Sequence, residues 1–477
     1  MTTEELKKEH PLYSAFKAEW LFYIRSYLGG KFYRDGNYLL QHPFESLQNY
    51  TRRKSIAYLY NYCQPVVDAL NGYLFKKPPQ RFYGGLSTDA SPPRNPSTLF
   101  DSFWWDCDYD GSSLDQFIRN AQRMSSIYGR ISVLVDKSSL PATTQASALA
   151  NDVRPYLSII TPENLVDWEY QRSPYGRMFL NRIKIRDVDI PSGKISARYT
   201  IWDTMSWETW EVDRQNRANR TAAGEHGLGE IPIVTVYNKR SGIRMIGLSD
   251  IKDIADINKN IYYLCSDAKE IIENTAFPML AMPQMANVDE ELVVGSKNIL
   301  EFDPDKPNGS PFWLEPPHSS LNEIREWVMQ DAQEIARVAL MGGMRNIETS
   351  TQPWSGVSIE SQSQQLISVL VEKADNIEQA ELDIMRLYCK WENMTYDGDV
   401  RYPRDFSVRD ATITLQNAIS AGTQNISSAI FERERQKIVV TSTLPFIEEQ
   451  TRVDIFDEID TADLNTRPVT AAGMTSP

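Results

Sequence analysis

Apolar residues recur at helical spacing in two segments near the N-terminus. A helix that ends at a Gly-Gly pair is predicted for EELKKEHPLYSAFKAEWLFYIRSYLGG, and a second helix, kinked or divided at Pro65, for TRRKSIAYLYNYCQPVVDALNGYLF. Clustered prolines predict a surface connection over residues 76–96. Beyond it the pattern predicts a helix over residues 114–128 and a buried strand over residues 131–136.

Strand-like runs alternate with turns between residues 154 and 238. They are rich in β-branched and aromatic side chains and read PYLSIITPENLVDW, RMFLNRIKIRDV, ARYTIWDTMSWETWEV and IPIVTVYN. Alternating apolar and polar residues are typical of half-buried strands. We therefore predict a twisted, partly antiparallel sheet with helices packed on it, which places the chain in the α+β fold class.

After residue 247 the spacing changes to that of two long amphipathic helices. Residues 248–275 and 319–341 each carry one apolar stripe. The first stripe contains Ile251, Ile254, Ile257, Ile261, Leu264, Ala268 and Ile271, and the second contains Leu321, Ile324, Val328, Ala332, Ile335 and Ala339. Another face of the first helix carries Asp253, Asp256, Asp267 and Glu270. We expect the stripes to pack against other helices and the acidic face to meet water.

Turn residues and prolines between these helices predict a small β-rich excursion, with strands at ELVVG and NILEF. A Gly-Gly pair ends the second helix, and the polar loop MRNIETSTQPWSGV follows at residues 344–357. Helical periodicity then continues to about Met394, which predicts a helix on the order of 50 Å long. A short strand is predicted in VRYPRDFSV, further helices over residues 411–460, and a disordered tail after them.

Charge narrows the classes of function. The net charge of −14 argues against a protein that binds nucleic acid by neutralising many phosphates, because that mode needs clustered Lys and Arg. An acidic surface is compatible with a conduit that lets DNA pass without sticking. The 477 residues are enough for about three domains, and 41% hydrophobic with 24% charged residues is typical of globular proteins.

The four cysteines form no CxxC pair, so we expect buried free thiols in a reducing cytoplasm. The sequence contains no apolar run of about 20 residues, and its N-terminus is charged where a secretory signal would be apolar. Neither export nor membrane spanning is therefore indicated by the pattern.

Candidate catalytic and metal-binding motifs are weak. Asp106, Asp108 and Asp110 precede Gly111 with the spacing of a calcium loop. Position 12 is Phe117 instead of a bidentate Glu, so a turn with side-chain hydrogen bonds is the alternative. The four histidines lie in unrelated segments, and neither a P-loop nor GxGxxG occurs. We expect no cofactor, no metal and no enzymatic activity.

The 11 tryptophans and many carboxylates leave a carbohydrate-active hydrolase as an alternative. Such enzymes stack sugars on aromatic rings and place two acids on either side of the bond that they cleave. The tryptophans here mark strands and helix faces instead. In TIWDTMSWETWEV they alternate in the manner of a half-exposed strand, which favours a structural role.

Several phrases, read in order, resemble the portal proteins of tailed bacteriophages. They are YTRRKSIAYLYNYCQPVVDALNGYLFKKPP, DYDGSSLDQFIRNAQRMSSIYGRISVLVD, RPYLSIITPENLVDWEY, GLGEIPIVTVYNKR and GLSDIKDIADINKNIYYLCSDAKE. The first phrase carries Arg53, Tyr60, Asn61 and Gly72 in the family's pattern, ahead of a Phe-Lys-Lys-Pro-Pro edge. The resemblance covers about residues 50–396 and rests on the number and order of the phrases. Beyond residue 411 the chain departs from the family pattern.

The resemblance implies an architecture with named parts. The wing would span residues 1–246, the first stem helix 247–277, the clip 278–318, the second stem helix 319–343, the tunnel loop 344–357, the long wing helix with a strand 358–408, the helical crown 409–460, and a disordered tail 461–477. It also implies a virion ring of twelve subunits at a capsid vertex, for DNA packaging, DNA ejection and head-tail joining.

The same resemblance implies roles for residues and partners. In the tunnel loop, Arg345, Asn346, Thr349, Gln352 and Trp354 are expected to touch passing double-stranded DNA without sequence specificity, although Trp354 could instead brace the loop. The stem residues Asp253, Asp256, Asp267 and Glu270 are expected to face the channel, and Ile254, Ile261, Leu264, Ile324, Val328 and Ile335 to form subunit contacts. Expected partners are further copies of the chain, terminase, a head-tail adaptor, and major capsid and scaffold proteins, with no membrane. Assembly would take place in the bacterial cytoplasm. Another acidic phage assembly protein is the alternative.

Overall fold

The computed structural model describes residues 1–87, 98–138, 147, 151–187, 195–275, 279–283, 299–302, 312–314, 319–339, 356–404, 406, 420–421, 428–444 and 449–462. The chain divides into two units, Met1–Phe406 and Ser407–Pro477. The first unit combines helices with sheets that are mostly antiparallel, so the α+β fold class is confirmed.

Five helices open the chain: α1 (Thr3–Lys7), α2 (Pro11–Leu28), α3 (Gly30–Asp35), α4 (Leu47–Ile56) and α5 (Cys63–Leu74). The second predicted helix is divided, but over residues 57–62 and not at Pro65. Pro65 lies in the first turn of α5, where its missing N–H costs nothing. Gly29 separates α2 from α3 with a φ of 61°, a left-handed conformation that favours glycine. A Cβ on Gly29 would lie 2.8 Å from Nδ2 of Asn61, so a larger residue would also clash there.

The helix and strand predicted over residues 114–136 are confirmed. After β1 (Gln80–Phe82) come α6 (Leu99–Trp105), α7 (Leu114–Tyr128) and β2 (Arg130–Lys137). Ser113 and Gln116 form a capping box at the start of α7. At the corner between α7 and β2, a Cβ on Gly247 would lie 2.0 Å from the carbonyl oxygen of Gly129. Two glycines therefore let the segment after the sheet press against this corner.

Two antiparallel sheets follow. Their strands are β3 (Pro155–Ile160), β4 (Leu165–Arg172), β5 (Met178–Arg186), β6 (Ile195–Asp203), β7 (Ser206–Asp213), β8 (Ala218–Glu225) and β9 (Ile233–Tyr237). One sheet has the order β3-β2-β9, and the other is a meander from β4 to β8. All neighbouring strands pair antiparallel. The sequence pattern does not predict β8, because ANRTAAGE is an exposed edge strand without apolar alternation.

The two amphipathic segments form α8 (Lys252–Thr275) and α9 (Ser319–Val338). Between them, β10 (Met279–Pro283), β11 (Ile299–Phe302) and β12 (Phe312–Leu314) form a three-stranded sheet. The central strand β10 is parallel to β11 and antiparallel to β12. The strand predicted at NILEF is therefore confirmed as β11, whereas ELVVG lies outside the described residues.

The predicted long helix is confirmed as α10 (Gly356–Trp391), whose 36 residues span about 54 Å. Its inner side joins the main hydrophobic core through Leu370, Ala374, Ile377 and Ile384. The same core contains Ile131 and Val133 of β2, so α10 packs against the β3-β2-β9 sheet. A short strand, β13 (Asp399–Arg401), follows α10 and pairs with β1.

The second unit contains α11 (Ala429–Thr443) and α12 (Glu449–Thr461), which agrees with the helices predicted for this region. Ser428 caps α11 by accepting a hydrogen bond from the backbone N–H of Phe431. Lys437 of α11 lies 2.8 Å from a carboxylate oxygen of Asp460 in α12. The tail predicted to be disordered lies outside the described residues.

The four cysteines are buried and free, as predicted. Burial raises the pKa of the Cys63 thiol to about 12 and that of Cys389 to about 11, because a buried thiolate is poorly solvated. Among the described helices, none is both long enough and apolar enough to cross a membrane.

Candidate functional site

The helix pair α8 and α9, joined through the three-stranded sheet, is the most distinctive element after the β-rich region. Nδ2 of Asn260 in α8 donates a hydrogen bond to Oδ2 of Asp331 in α9 at 2.7 Å. Ile254 and Ile261 of α8 share the main core with Ile335 of α9. The two helices therefore lie side by side. Apolar packing holds them together on the core side, and a polar contact joins them nearer the surface.

The six residues predicted as subunit contacts lie mainly toward the chain's own core. Ile254 and Ile261 are completely buried, and Ile335 is 2% exposed. Leu264, Ile324 and Val328 are half-buried. Packing inside one chain accounts for the burial of the first three residues. A role between subunits stays a prediction for the whole set.

The first half of the acidic face of α8 is open. Asp253 and Asp256 are exposed, and no ion pair to either carboxylate occurs within the described residues. Burial raises the pKa of Tyr23, its hydrogen-bond partner Glu19 raises it further, and Asp256 and Asp253 add a smaller contribution. This end of α8 therefore presents two exposed carboxylates that have no ion-pair partner in the part of the chain the structure describes.

The second half of the acidic face is held by α4. Arg53 is 2% exposed, and its Nη1 lies 3.4 Å from Asp267 while its Nε lies 3.9 Å from Glu270. His42 adds a contact of 3.3 Å to Asp267. Asp267 and Glu270 thus combine partial exposure with an arginine partner from the same chain, unlike Asp253 and Asp256. Whether all four carboxylates face a channel stays a prediction.

The buried Arg53 is fixed from the other side by Glu45. Nε and Nη2 of Arg53 each donate to the Glu45 carboxylate at 2.8 Å, a bidentate arrangement. These hydrogen bonds lower the pKa of Glu45 to about 2. Nη2 also donates to the carbonyl oxygen of Leu40 at 2.7 Å. One side chain therefore ties α8, α4 and the loop before α4 together.

A second buried cation joins the long helix α10 to the start of α8. Nζ of Lys373 lies 2.6 Å from Oδ2 of Asp250 and donates to Oγ of Ser126 at 3.2 Å and to Oδ1 of Asn238. Nδ2 of Asn238 donates to Oδ1 of Asp250 at 2.8 Å and to the carbonyl oxygen of Leu248 at 3.0 Å. Lys373 and its partners therefore form a polar hub between α10, α7, the end of β9 and α8.

A third buried cation fixes the later part of α10. Nε of Arg81 donates to Oε1 of Glu381 at 2.5 Å, and Nη1 pairs with Asp115 of α7. The hydroxyl of Tyr402 donates to Oε2 of Glu381 at 2.6 Å, and Glu381 is completely buried. Helix α10 is thus fixed to the rest of the unit by buried ion pairs at two positions, Lys373 and Glu381.

The calcium-like loop has the hydrogen bonds of a turn. Oδ1 of Asp106 accepts from the backbone N–H of Gly111 at 2.9 Å, and Oδ1 of Asp108 accepts from those of Asp110 and Ser112 at 3.0 and 3.1 Å. In the part of the chain that the structure describes, no cluster of three or more His, Cys, Asp or Glu side chains could hold a metal ion. The loop therefore matches the side-chain hydrogen-bonded turn.

The tryptophans of TIWDTMSWETWEV pack on the meander sheet. Trp202 is 3% exposed and lies directly across from Trp207 in the register of β6 and β7. Trp207 and Trp210 pack partly buried against the main core. Their packing supports the structural interpretation over a sugar-binding platform.

The loop residues expected to touch DNA, namely Arg345, Asn346, Thr349, Gln352 and Trp354, lie outside the described residues. Sequence reasoning missed the buried charges of Arg53, Lys373 and Arg81. A signal existed for Lys373, because it interrupts the apolar stripe of α10 between Leu370 and Ile377. A lysine in a core-facing position requires a buried partner.

Comparison with known proteins gives one family. The sequence model of the family described as phage portal protein, SPP1 Gp6-like, matches residues 24–444, which is more than half of the chain. No curated protein matches the chain.

Similar solved structures include the neck of an empty GTA particle computed with C6 symmetry, at a TM-score of 0.43 and 10% identity, covering 78% of this chain and 89% of that one. The neck of a native GTA particle computed with C12 symmetry gives a TM-score of 0.40 and 9% identity, with 83% and 89% covered.

Proposed function

Since the chain belongs to the family of phage portal proteins described as SPP1 Gp6-like, we propose that it is one subunit of the ring-shaped channel through which phage DNA is packaged and ejected and to which the tail is joined. The observation that carries this proposal is the length of the family match, which extends from α2 to the end of α11.

The proposed parts follow the order of elements along the chain. The wing corresponds to residues 1–246, the stem helices to residues 247–277 and 319–343, and the clip to residues 278–318. Support comes from α8 and α9 lying side by side with a three-stranded sheet between them in sequence. The long wing helix and strand take residues 358–408, and the crown takes residues 409–460, with the tail at 461–477.

The open half of the α8 acidic face supports a channel that does not hold DNA tightly. Asp253 and Asp256 are exposed without ion pairs among the described residues, and the whole chain carries a net charge of −14. Like charges repel weakly across water and are screened within about 10 Å at 0.1 M salt. Such a wall would let the duplex slide without sequence preference.

We further propose that residues 344–357 form a tunnel loop that touches the passing duplex. Arg345 would meet phosphates, Asn346, Thr349 and Gln352 would form exchangeable hydrogen bonds, and Trp354 would brace the loop. A phage that carries Arg345→Ala or a shortened loop should form normal rings and proheads but fail to package or retain its genome. Normal yields of infectious particles from the shortened-loop phage would remove this role.

The ring would stand at the capsid vertex of the virion and would be assembled in the host bacterial cytoplasm. By family resemblance it would contain twelve subunits and meet terminase, a head-tail adaptor, and the major capsid and scaffold proteins. Mass photometry of the purified protein tests the ring directly. We expect a species many times heavier than the 54.6 kDa monomer, whereas a monomer alone at micromolar concentration would contradict the proposal.

A further inference from the structure

The segment that contains α4 is fixed at both ends by one small apolar cluster. Leu39 and Ala57 are 2% and 3% exposed, and they belong to this cluster together with Tyr33 of α3 and Tyr262 of α8. The two ends of the segment are therefore held at the same place. We call the residues between these two anchors, 40–56, the flap.

The flap has little apolar attachment of its own. Every residue from 40 to 56 is described, and Arg53 is the only one of them that is buried. Tyr50 lies half-buried against the same small cluster, whereas Phe44 and Leu47 are exposed. Short helices usually depend on an apolar face for their stability in a protein. Helix α4 must therefore be held by other contacts.

Ion pairs and polar hydrogen bonds join the flap to the second half of α8. Arg53 donates to Oγ of Ser266 at 3.1 Å. The other partners on α8 are carboxylates, namely Asp267 at 3.4 Å and Glu270 at 3.9 Å from Arg53, Glu273 at 2.8 Å from Arg52, and Asp267 again at 3.3 Å from His42. We call these ion pairs the latch.

The apolar cluster and the latch lie at different positions along α8. From Tyr262 in the cluster to Glu273 in the latch is about 16 Å, at 1.5 Å per residue. The latch is also accessible to solvent, because the side chains of Arg52 and Glu273 are 62% and 27% exposed. Salt screens ion pairs of this kind, with a Debye length of about 3 Å at 1 M. One end of the flap is thus held by apolar packing and the other by contacts that salt weakens.

Arg53 keeps its closest charged partner when the flap moves. Glu45 lies within the flap and accepts two hydrogen bonds from Arg53 at 2.8 Å. On the α8 side, Asp267 and Glu270 are already 34% and 39% exposed, so water can solvate them once Arg53 has left. Separation of the flap from α8 therefore leaves no buried charge without a partner, which is the main cost of breaking an ion pair.

We propose that the flap opens from the second half of α8 as one unit, with the small apolar cluster as its hinge and the latch as the contact that breaks. Opening transfers Asp267, Glu270 and Glu273 from arginine partners to water. They then join Asp253 and Asp256, which are exposed in the closed state.

The consequence for the channel rests on the proposed function. In that channel, a closed flap keeps half of the α8 acidic face paired with arginine, and an open flap presents the whole face to the duplex. Salt would therefore change the charge of the channel wall as well as screen it.

Hydrogen–deuterium exchange of the full-length protein, followed by mass spectrometry, tests the flap. Helix α4 has 10 residues, and isolated helices of this length are marginal in water, so α4 should lose its backbone hydrogen bonds on opening. Peptides over residues 47–56 should exchange as one block, at least about fivefold faster in about 1 M than in about 0.05 M sodium chloride. Peptides from α7 are the internal control and should change less than about twofold, because apolar residues such as Phe117 and Ile118 hold that helix.

A pair of matched variants separates the latch from a general effect of charge on α8. Asp267→Asn/Glu270→Gln removes two carboxylate partners of Arg53 and leaves the sequence of the flap unchanged. At low salt its α4 peptides should exchange at least about fivefold faster than those of the wild type. Asp253→Asn/Asp256→Asn removes the same charge from the same helix, where neither carboxylate has an ion-pair partner among the described residues. Its α4 peptides should exchange like those of the wild type.

Unchanged α4 exchange in the salt series and in Asp267→Asn/Glu270→Gln overturns the proposal. Equal acceleration in Asp253→Asn/Asp256→Asn also overturns it, since the latch would not be the cause, as does exchange confined to the ends of α4, which is fraying. Rings that form without opening of α4 remove this inference alone. An opening flap in a protein that forms no rings removes the proposed function and leaves the flap.

Discussion

Replacement of Lys373 by methionine should loosen the start of α8 from α10, α7 and the end of β9. Lys373 and Asp250 are 4% and 12% exposed, and their charged atoms lie 2.6 Å apart. Without the ammonium group, Asp250 keeps only the amide of Asn238, at 2.8 Å, as a described side-chain donor. Removal of one partner from a buried ion pair typically costs about 3–5 kcal/mol, because the remaining charge stays desolvated.

The double variant Lys373→Met/Asp250→Asn separates this cause from lost packing. Methionine fills most of the lysine volume, and asparagine leaves no charge behind. The double variant should therefore be destabilised by less than the sum of the two single variants, with a coupling energy of about 1–3 kcal/mol. Lys390→Met is the matched control on the same helix. Its salt bridge to Glu230 is 39% and 35% exposed, and such pairs contribute at most about 1 kcal/mol.

Amide hydrogen exchange over residues 248–256 is the appropriate assay, since it reports local opening in a chain with more than one unit. A loss of about 3–5 kcal/mol corresponds to exchange that is faster by roughly two to four orders of magnitude, at about tenfold per 1.4 kcal/mol. Equal exchange in Lys373→Met and Lys390→Met, or strict additivity in the double variant, would refute the proposed role of the polar hub.

Three further predictions follow from burial and charge. Ile261→Asp should prevent soluble folding rather than only assembly, because it buries an unpaired carboxylate. Asp256→Asn is the control and should fold and assemble normally. A soluble, folded Ile261→Asp protein would contradict the prediction. Protection of the α4 amides, measured against the intrinsic exchange rate at each pH, should fall as the pH falls from about 4.5 toward 2. The depressed pKa of Glu45 makes its stabilising contribution complete above the ordinary value and lost on protonation. Glu45→Gln should lack this dependence, and an identical protection profile in both proteins would count against it. In native protein none of the four buried thiols should react rapidly with a thiol reagent, and all four should react in denaturant. Fast labelling of even one thiol in the native protein would contradict this prediction.

Periodicity was sufficient for most of the elements that form the core. The stripes of α8 and α9, the length of α10, and the strands β2 to β7 and β9 follow from apolar spacing, because burial acts on one face of each element. Pro65 indicated a division of the second predicted helix, but the break lies over residues 57–62 and Pro65 falls in the first turn of α5, where a proline is tolerated. Edge strand β8 could not be predicted, since its exposed side chains carry no pattern and its pairing depends on the backbone of β7.

Buried charges were the main feature that the sequence pattern did not predict. Arg130 begins a strand and is completely buried, with its guanidinium 5.6 Å from the ring of Trp20 and 5.4 Å from that of Trp168. Burial lowers its pKa to about 10. Arg53 similarly changes the environment of the α8 acidic face. Its partners on α8, such as Ser266, lie more than 200 residues away from it in sequence. Such contacts depend on tertiary structure, and local spacing carries no trace of them.

Electron microscopy of the purified full-length protein tests the central claim most directly. Class averages viewed along the particle axis should show closed rings with rotational symmetry, twelve-fold or close to it, around an opening wide enough for a DNA duplex. Fields that contain only particles of single-chain size, or open filaments without a central passage, would contradict the assignment of this chain to a DNA channel.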